Sequence, residues 1–297
     1  MKRFNGVYAP ITTPFFDDET IAVEHLVANI RAFNKTALRG YMPLGSNGEF
    51  QGLTDRESFL VLDTVKKTAG DEKIIIGGCG RESAYKTLDF IRQVASYGLD
   101  FAFILPPHYF ADFMTEDLLE SYYLAVAEGS PIPIVVYNAP KFASGILLLP
   151  PLIRRLARHP NIIAMKNSSL QPNTDYMDAL PDDADFSIIA GNIKTFFPGL
   201  EAGAIGGVLS TASYLPDLCC ELYERYTQGN LQRARELHEF LNMISAGSIG
   251  KHGVAGVKHG MDLRGMYGGQ TRNPLKALDD AEKQRIRRFF EEHGLLP

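Results

Sequence analysis

The stretch Ile132-Pro133-Ile134-Val135-Val136-Tyr137 is apolar and largely β-branched at both odd and even positions. Such a stretch is typical of a strand that is buried on both faces, as in a parallel sheet covered by helices. Lys73-Ile74-Ile75-Ile76-Gly77 has the same character. Shorter β-rich runs recur at residues 6–11, 40–44, 101–105, 162–166, 186–190 and 205–209.

Longer amphipathic segments separate these runs. Residues 54–69 begin with Thr54 and carry Glu57 three positions later, which predicts a helix with a capping box. Three more helices are predicted over residues 21–33, 83–97 and 115–128. Strands that alternate with helices in this way predict an α/β fold, a (β/α)8 TIM barrel, with an open doubly wound sheet as the alternative. The first strand ends in Pro10-Ile11-Thr12-Thr13-Pro14 rather than in a glycine-rich phosphate loop, which favours the barrel.

The chain continues as helices after the eighth run. Residues 218–227, 231–246 and 279–292 have amphipathic patterns, and a stretch with glycine and proline at 264–274 separates the last two. We therefore predict a catalytic barrel domain over residues 1–226 and a C-terminal helical extension over residues 227–297.

Composition excludes several classes of protein. The chain of 297 residues has a formal net charge of −5 and no long basic run, so we predict no nucleic-acid partner. It has no apolar window long enough to span a bilayer, and its N-terminus does not resemble a signal peptide. Its 3 cysteines do not form a disulfide framework. We expect a cytoplasmic enzyme without membrane contact.

Two side chains at predicted strand ends can carry chemistry, because active sites of this fold lie at the carboxyl ends of the strands. Lys166 closes the sixth run, where burial would lower the pKa of its amine and allow attack on a carbonyl carbon. The alternative is a lysine whose ammonium reaches water. Tyr137 closes the neighbouring fifth run and could shuttle protons, although an ordinary strand-end aromatic is the alternative.

The second run is followed by Gly45-Ser46-Asn47-Gly48-Glu49. Backbone N–H groups in such a turn can surround an anion, and the side chains of Ser46 and Asn47 add donors suited to a carboxylate. A plain tight turn is the alternative. The 7 histidines show no metal-ligand spacing and Gly-x-Ser-x-Gly is absent, so we predict neither a metal site nor a serine hydrolase.

Three motifs together carry a family resemblance: Gly45-Ser46-Asn47-Gly48-Glu49, Tyr137-Asn138-Ala139-Pro140 and Met165-Lys166-Asn167-Ser168. Because it carries these three motifs in this order, the chain resembles the dihydrodipicolinate synthase/N-acetylneuraminate lyase family of Schiff-base aldolases. The likeness extends from about Phe4 to the C-terminal helices and implies a TIM barrel.

The resemblance also implies residue roles. Lys166 would form the imine, Tyr137 would be its acid/base, and Ser46 would relay protons to that tyrosine. Asn47 and Gly48 would hold the 2-oxo acid carboxylate, largely through backbone N–H groups.

Further positions follow from the same resemblance. Tyr109, in the loop after the fourth strand, would enter a neighbouring subunit's site. Gly191, Ile205 and Gly207 fall where family members line the pocket with backbone. Members are commonly homotetramers built as dimers of dimers.

The sequence departs from the family pattern at informative places. Phe142, predicted to line the substrate site, occupies the position of the arginine with which dihydrodipicolinate synthases bind the second substrate's carboxylate. Residues 191–194 lack the acidic residues that sialic acid lyases use. Asn47 stands where threonine is usual, and the resulting pentapeptide is similar to that of 4-hydroxy-2-oxoglutarate and 2-keto-3-deoxy sugar acid aldolases.

We therefore predict a pyruvate-dependent class I aldolase that cleaves or makes a 4-hydroxy-2-oxo acid through a Schiff base. Its partners would be a small 2-oxo acid and an aldehyde. No metal or organic cofactor is predicted, because the lysine itself supplies the electron sink. The alternatives are dihydrodipicolinate synthase proper, a Schiff-base sugar acid dehydratase and a noncatalytic 2-oxo acid-binding protein.

Overall fold

A computed structural model of the chain describes residues 4–296. Within this range, eight parallel strands are neighbours in chain order and close into a barrel. The predicted (β/α)8 architecture is therefore confirmed, and the open sheet is wrong. The strands are β1 (Gly6–Pro10), β2 (Gly40–Met42), β3 (Ile74–Gly78), β4 (Phe101–Ile104), β5 (Ile134–Asn138), β6 (Ile162–Asn167), β7 (Ser187–Ala190) and β8 (Gly206–Val208).

Helices follow the strands and extend the chain at its carboxyl end. They are α1 (Val23–Asn34), α2 (Asp55–Thr68), α3 (Ala84–Ala95), α4 (Glu116–Gly129), α5 (Pro150–Leu156), α6 (Asn173–Ala179), α7 (Phe196–Glu201), α8 (Pro216–Thr227), α9 (Leu231–Ile244), α10 (Gly253–Leu263) and α11 (Asp280–Glu292). The capping box between Thr54 and Glu57 is present as predicted. None of the helices in residues 4–296 is long and apolar enough to cross a membrane.

Contacts within the chain group its residues into two compact units. The first unit contains residues 74–208 and so holds β3 to β8 with helices α3 to α7. The second contains residues 7–73 and everything from residue 209 onward, which includes β2, α1, α2 and α8 to α11. The predicted boundary between residues 226 and 227 stays a prediction. The outer ends of the two predicted domains, residues 1–3 and 297, lie outside the described residues.

Helix α10 in the second unit was not predicted from the sequence. Gly256 and Gly260 lie within it, and glycine is a poor helix former. Close packing explains both glycines: a Cβ at Gly256 would lie 2.6 Å from the carbonyl oxygen of Ile249, and one at Gly260 3.1 Å from the Tyr214 ring. Tertiary packing thus stabilises a helix that local propensity disfavours.

Candidate active site

Lys166 is the second-to-last residue of β6, and its neighbours along the strand are buried. The side chain follows the apolar residues Ala164 and Met165, and only 4% of Lys166 is exposed. Burial lowers the pKa of its amine from 10.5 to about 7, because the charged form loses its hydration. A large fraction of this amine is therefore uncharged near neutral pH, and an uncharged amine can attack a carbonyl carbon.

The aromatic rings of Tyr137 and Phe103, which belong to the first unit together with Lys166, contact the Lys166 amine. Its Nζ lies 4.5 Å from the ring centre of Tyr137 and 5.4 Å from that of Phe103. The two rings pack on each other with centres 4.4 Å apart. Tyr137 and Lys166 are register partners of the parallel strands β5 and β6, so their side chains leave the sheet on the same face. The structure thus brings these two predicted residues together.

The opposite face of the same strand ends carries buried amides. Asn138 and Asn167 follow Tyr137 and Lys166 directly and are themselves register partners. Asn138 Nδ2 donates to the Tyr176 hydroxyl at 2.7 Å, and Asn138 Oδ1 accepts the Leu148 N–H at 3.1 Å. These bonds tie the end of β5 to the segment before α5 and to α6, which fixes the strand that carries Tyr137.

Asn167 ties down the end of β6 in the same way. Its Nδ2 donates to Asn173 Oδ1 at 2.8 Å and its Oδ1 accepts the Ser169 hydroxyl at 2.7 Å. Side chains alternate between the two faces of a strand. The hydrogen bonds of Asn167 on the outer face therefore fix the orientation of the strand that directs Lys166 to the inner face. We call Asn138 and Asn167, with their partners, the amide layer.

Ser168 ends the motif Met165-Lys166-Asn167-Ser168, and the sequence alone indicated no role for it. Within residues 4–296, its Oγ is one of the few buried side-chain oxygens without a hydrogen-bond partner. Gly191 lies against it, since a Cβ at that glycine would fall 1.8 Å from Ser168 Oγ. A buried hydroxyl without a partner retains capacity to bind a ligand hydroxyl or carbonyl.

The predicted carboxylate turn lies in the second unit and is a short 3-10 helix, Ser46–Gly48. Gly48 is close to neighbouring backbone, because a Cβ there would lie 3.1 Å from the carbonyl oxygen of Ile11. Its own carbonyl accepts the Thr13 hydroxyl at 2.7 Å. Asn47 Nδ2 donates to the Ser210 hydroxyl at 3.0 Å. The turn is thus held by side chains on both sides.

The backbone donors of this turn are not equivalent. Gly48 N–H donates to the Gly45 carbonyl at 2.9 Å, so it is engaged within the turn itself. The N–H groups of Ser46 and Asn47 begin the helical turn, and such groups have no acceptor within the helix. If the backbone of this turn binds a carboxylate, the N–H groups of Ser46 and Asn47 are therefore better placed to donate than the N–H group of Gly48.

Residues 3–293 match the dihydrodipicolinate synthetase family. The chain belongs to this family. Among its relatives, the 4-hydroxy-tetrahydrodipicolinate synthase of Methanothrix thermoacetophila is 30% identical, and the alignment covers 96% of this chain and 95% of the relative. The L-threo-3-deoxy-hexylosonate aldolase of Hypocrea jecorina is also 30% identical, over 97% of this chain and 95% of its own length.

Solved structures agree with the family assignment. A crystal structure of a dihydrodipicolinate synthase superposes with a TM-score of 0.89 at 26% identity, covering 99% of this chain and all of the other. This family member is therefore an enzyme, a carbon–carbon lyase of the Schiff-base-forming type. The coarse prediction from the three strand-end motifs is confirmed.

Phe142 lies at the end of a short 3-10 helix, Pro140–Phe142, just after β5. Its side chain is 45% exposed, and the neighbouring Lys141 amine lies 5.8 Å from the ring centre. In this family member the position therefore offers an apolar ring and a flexible ammonium nearby, rather than a guanidinium fork.

Tyr109 projects from the loop after β4 and is 78% exposed. The Glu82 carboxylate holds this loop by accepting the N–H groups of His108 and Tyr109 at 2.9 and 2.8 Å. Phe110 and Phe113 beside it are also largely exposed. We call Tyr109, Phe110 and Phe113 the aromatic patch.

Ile205 was predicted to line the pocket with its backbone. It precedes the first residue of β8, and its N–H donates to the Ile188 carbonyl at 3.0 Å while its carbonyl accepts the Gly6 N–H at 3.1 Å. Both backbone groups thus bond to neighbouring strands, and the predicted role of Ile205 in lining the pocket stays a prediction. Gly207 lies level with Ala190 in the sheet, and its role in the pocket stays a prediction.

Proposed function

We propose that this family member cleaves a 4-hydroxy-2-oxo acid into pyruvate and an aldehyde, or joins the two in reverse. The observation that carries the proposal is the buried Lys166 amine, whose pKa is lowered to about 7 and which contacts the Tyr137 ring. A neutral amine beside a phenol is the minimum machinery for imine formation.

The chemistry begins when Lys166 Nζ attacks the ketone carbon of the substrate. Tyr137 gives a proton to the carbinolamine oxygen, which leaves as water, and a protonated imine remains. The imine draws the electron pair of the C3–C4 bond while the C4 hydroxyl gives its proton to the Tyr137 oxygen, which was deprotonated in the preceding step, and the aldehyde is released. The resulting enamine is protonated at C3, and hydrolysis returns pyruvate and the free lysine.

The remaining predicted residues have supporting roles in this proposal. Ser46 relays protons to Tyr137, and the turn of Ser46, Asn47 and Gly48 binds the carboxylate of the 2-oxo acid. Donors from backbone and side chain fix the carbonyl carbon relative to the amine, and such orientation lowers the barrier to attack. Gly191, Ile205 and Gly207 line the pocket with their backbone.

The second substrate is proposed from Phe142 and Ser168. Phe142 cannot form the paired bonds with which a guanidinium binds a carboxylate, which disfavours dihydrodipicolinate synthesis. The unpartnered Ser168 hydroxyl favours a substrate with hydroxyl groups near the reacting bond. We therefore place the substrate among 4-hydroxy-2-oxo acids of the sugar acid type, with 4-hydroxy-2-oxoglutarate as the smaller candidate.

We further propose a homotetramer in the cytoplasm, in which the aromatic patch forms part of a dimer interface. Exposed aromatic side chains grouped in one loop are typical of protein interfaces. Tyr109 would complete the proton relay of the neighbouring subunit across this interface.

A retro-aldol screen tests the proposal. Purified enzyme is given a panel of 4-hydroxy-2-oxo acids, and pyruvate release is followed together with borohydride trapping of the imine at Lys166. Pyruvate release with an adduct mapped to Lys166 is expected, and a Lys166→Met variant should show neither. Loss of water with an intact carbon skeleton would identify a dehydratase instead. An adduct without turnover on any substrate would favour a binding protein.

A further inference from the structure

Glu49 closes the glycine motif but has no part in the chemistry proposed above. Its backbone is left-handed, with φ of 53° and ψ of 34°, and it joins the 3-10 turn Ser46–Gly48 to the next turn, Phe50–Gly52. A left-handed backbone is uncommon outside glycine and asparagine. The Glu49 N–H also closes the first turn by donating to the Ser46 carbonyl at 3.2 Å.

The Glu49 carboxylate is paired inside the second unit. Its Oε1 lies 2.5 Å from the Lys258 amine, and the two side chains are only 3% and 2% exposed. Lys258 comes from the middle of α10, a helix that packs against the Ser46–Gly48 turn. Two residues that are far apart in the sequence thus form a nearly dry ion pair directly beside the turn.

Both partners have further bonds that fix the geometry of the pair. Glu49 Oε2 accepts the Arg272 N–H at 2.9 Å, and the Lys258 amine donates to the Gln270 carbonyl. The Lys258 amine also lies 4.6 Å from the ring centre of Phe15. The carboxylate is therefore held by an ion pair at Oε1 and by a backbone hydrogen bond at Oε2, and the opposite charge of Lys258 offsets its burial.

We propose that the ion pair between Glu49 and Lys258 is a positioning element that holds the Ser46–Gly48 turn in its carboxylate-binding shape. Pulling the Glu49 side chain into the interior fixes its left-handed backbone, and that backbone ends the turn that presents the Ser46 and Asn47 N–H groups. Neither charged group touches substrate. The inference rests on the proposed function, because it assigns the carboxylate of the 2-oxo acid to this turn.

The experiment compares two carbonyl probes that differ in the carboxylate. Pyruvate and hydroxyacetone each form a trappable imine with a reactive lysine, but only pyruvate has a carboxylate. In a Lys258→Met variant, the pyruvate concentration for half-maximal trapping at Lys166 should rise at least about tenfold, because a buried polar contact beside the turn is lost. Trapping by hydroxyacetone should change less than about twofold, since that probe does not use the turn.

A second variant separates positioning from folding. Glu49→Gln keeps the size and one acceptor oxygen of the side chain, and it should show the same selective loss for pyruvate if Lys258→Met does not fold. Lys251→Met is the matched control, because Lys251 is exposed and pairs with Glu282 on the surface. It should trap both probes like the wild type.

Each outcome decides between the possibilities. Equal losses for the two probes would mean a general structural role, and unchanged trapping of pyruvate would mean no role in the turn; either result overturns the inference alone. A wild-type enzyme that pyruvate does not label would instead overturn the proposed function and the inference with it.

Discussion

Tyr137 and Lys166 stand side by side as register partners of β5 and β6, with the lysine Nζ 4.5 Å from the tyrosine ring centre. Parallel pairing alone produces this contact, because partner residues point to the same face. The apolar strands around the pair remove water from the amine. The fold thereby places the proposed nucleophile and the proposed acid/base side by side at two adjacent strand ends.

The pH dependence of imine formation should report the lowered pKa of Lys166. The neutral amine is the reactive form, so the rate of cyanoborohydride trapping with pyruvate should rise with pH and reach half of its maximum at about 7. At that pH an unperturbed lysine would have only on the order of one neutral amine in a thousand. A trapping rate that still climbs steeply above pH 9 would contradict this assignment.

The Tyr137→Phe variant should distinguish the role of the Tyr137 hydroxyl in proton transfer from the role of its ring in packing. The variant keeps the ring that contacts Phe103 and Lys166 but loses the hydroxyl, so turnover should fall by roughly 10²–10⁴-fold while thermal stability changes little. Steady-state kinetics and a melting curve measure the two effects. Turnover within threefold or so of the wild type would remove Tyr137 from the acid/base role.

Ser168→Ala should change substrate binding without harming the fold. Its buried hydroxyl has no hydrogen-bond partner among residues 4–296, so removing it should leave the melting temperature unchanged or slightly higher. The KM for a substrate with several hydroxyl groups should rise by about tenfold, whereas trapping by pyruvate alone should be unaffected. A destabilised variant with a normal KM would point to a purely structural serine.

The amide layer should dominate stability near the site. Asn167→Ala removes the partner of Ser169 and of Asn173 and leaves buried polar groups unsatisfied, so the free energy of unfolding should drop by about 2–4 kcal/mol. Denaturant titration measures the change. Gln171→Ala is the neighbouring control, because its amide bonds only to the side chain of Asp175 and should matter much less.

Mixed oligomers can test whether Tyr109 acts across an interface. Chains with Lys166→Met and chains with Tyr109→Phe should each have low activity. Random exchange of subunits would rebuild about a quarter of the sites, because a mixed dimer combines the intact lysine of one chain with the intact tyrosine of the other. Activity that does not recover, although exchange is confirmed by mass, would place Tyr109 outside the neighbour's site.

The sequence predicts the barrel well, because strands buried on both faces and capped helices are local patterns. Thr54 and Glu57, for example, lie only three residues apart. Helix α10 was missed because Gly256 and Gly260 are explained by close packing against Ile249 and Tyr214, which helix propensity does not reveal.

The parts of the site that could not be predicted depend on contacts between remote segments. Nothing local to Glu49 indicates that Lys258, more than 200 residues later, neutralises its charge. Likewise, the missing partner of Ser168 is visible only when the surrounding atoms are in place. Sequence patterns identify which residue types can react, whereas the three-dimensional structure determines their neighbours and hence their pKa.

The amide layer also matters for redesign of this enzyme as a biocatalyst. Its side-chain bonds lie on the outer face of β5 and β6 and do not involve the side chains of Phe142 and Ser168, which are proposed to face the second substrate. We therefore expect substitutions at Phe142 and Ser168 to leave the amide layer, and with it the position of Lys166, intact. A single scaffold could then be evolved toward many aldehyde acceptors while its pyruvate half-reaction is left untouched.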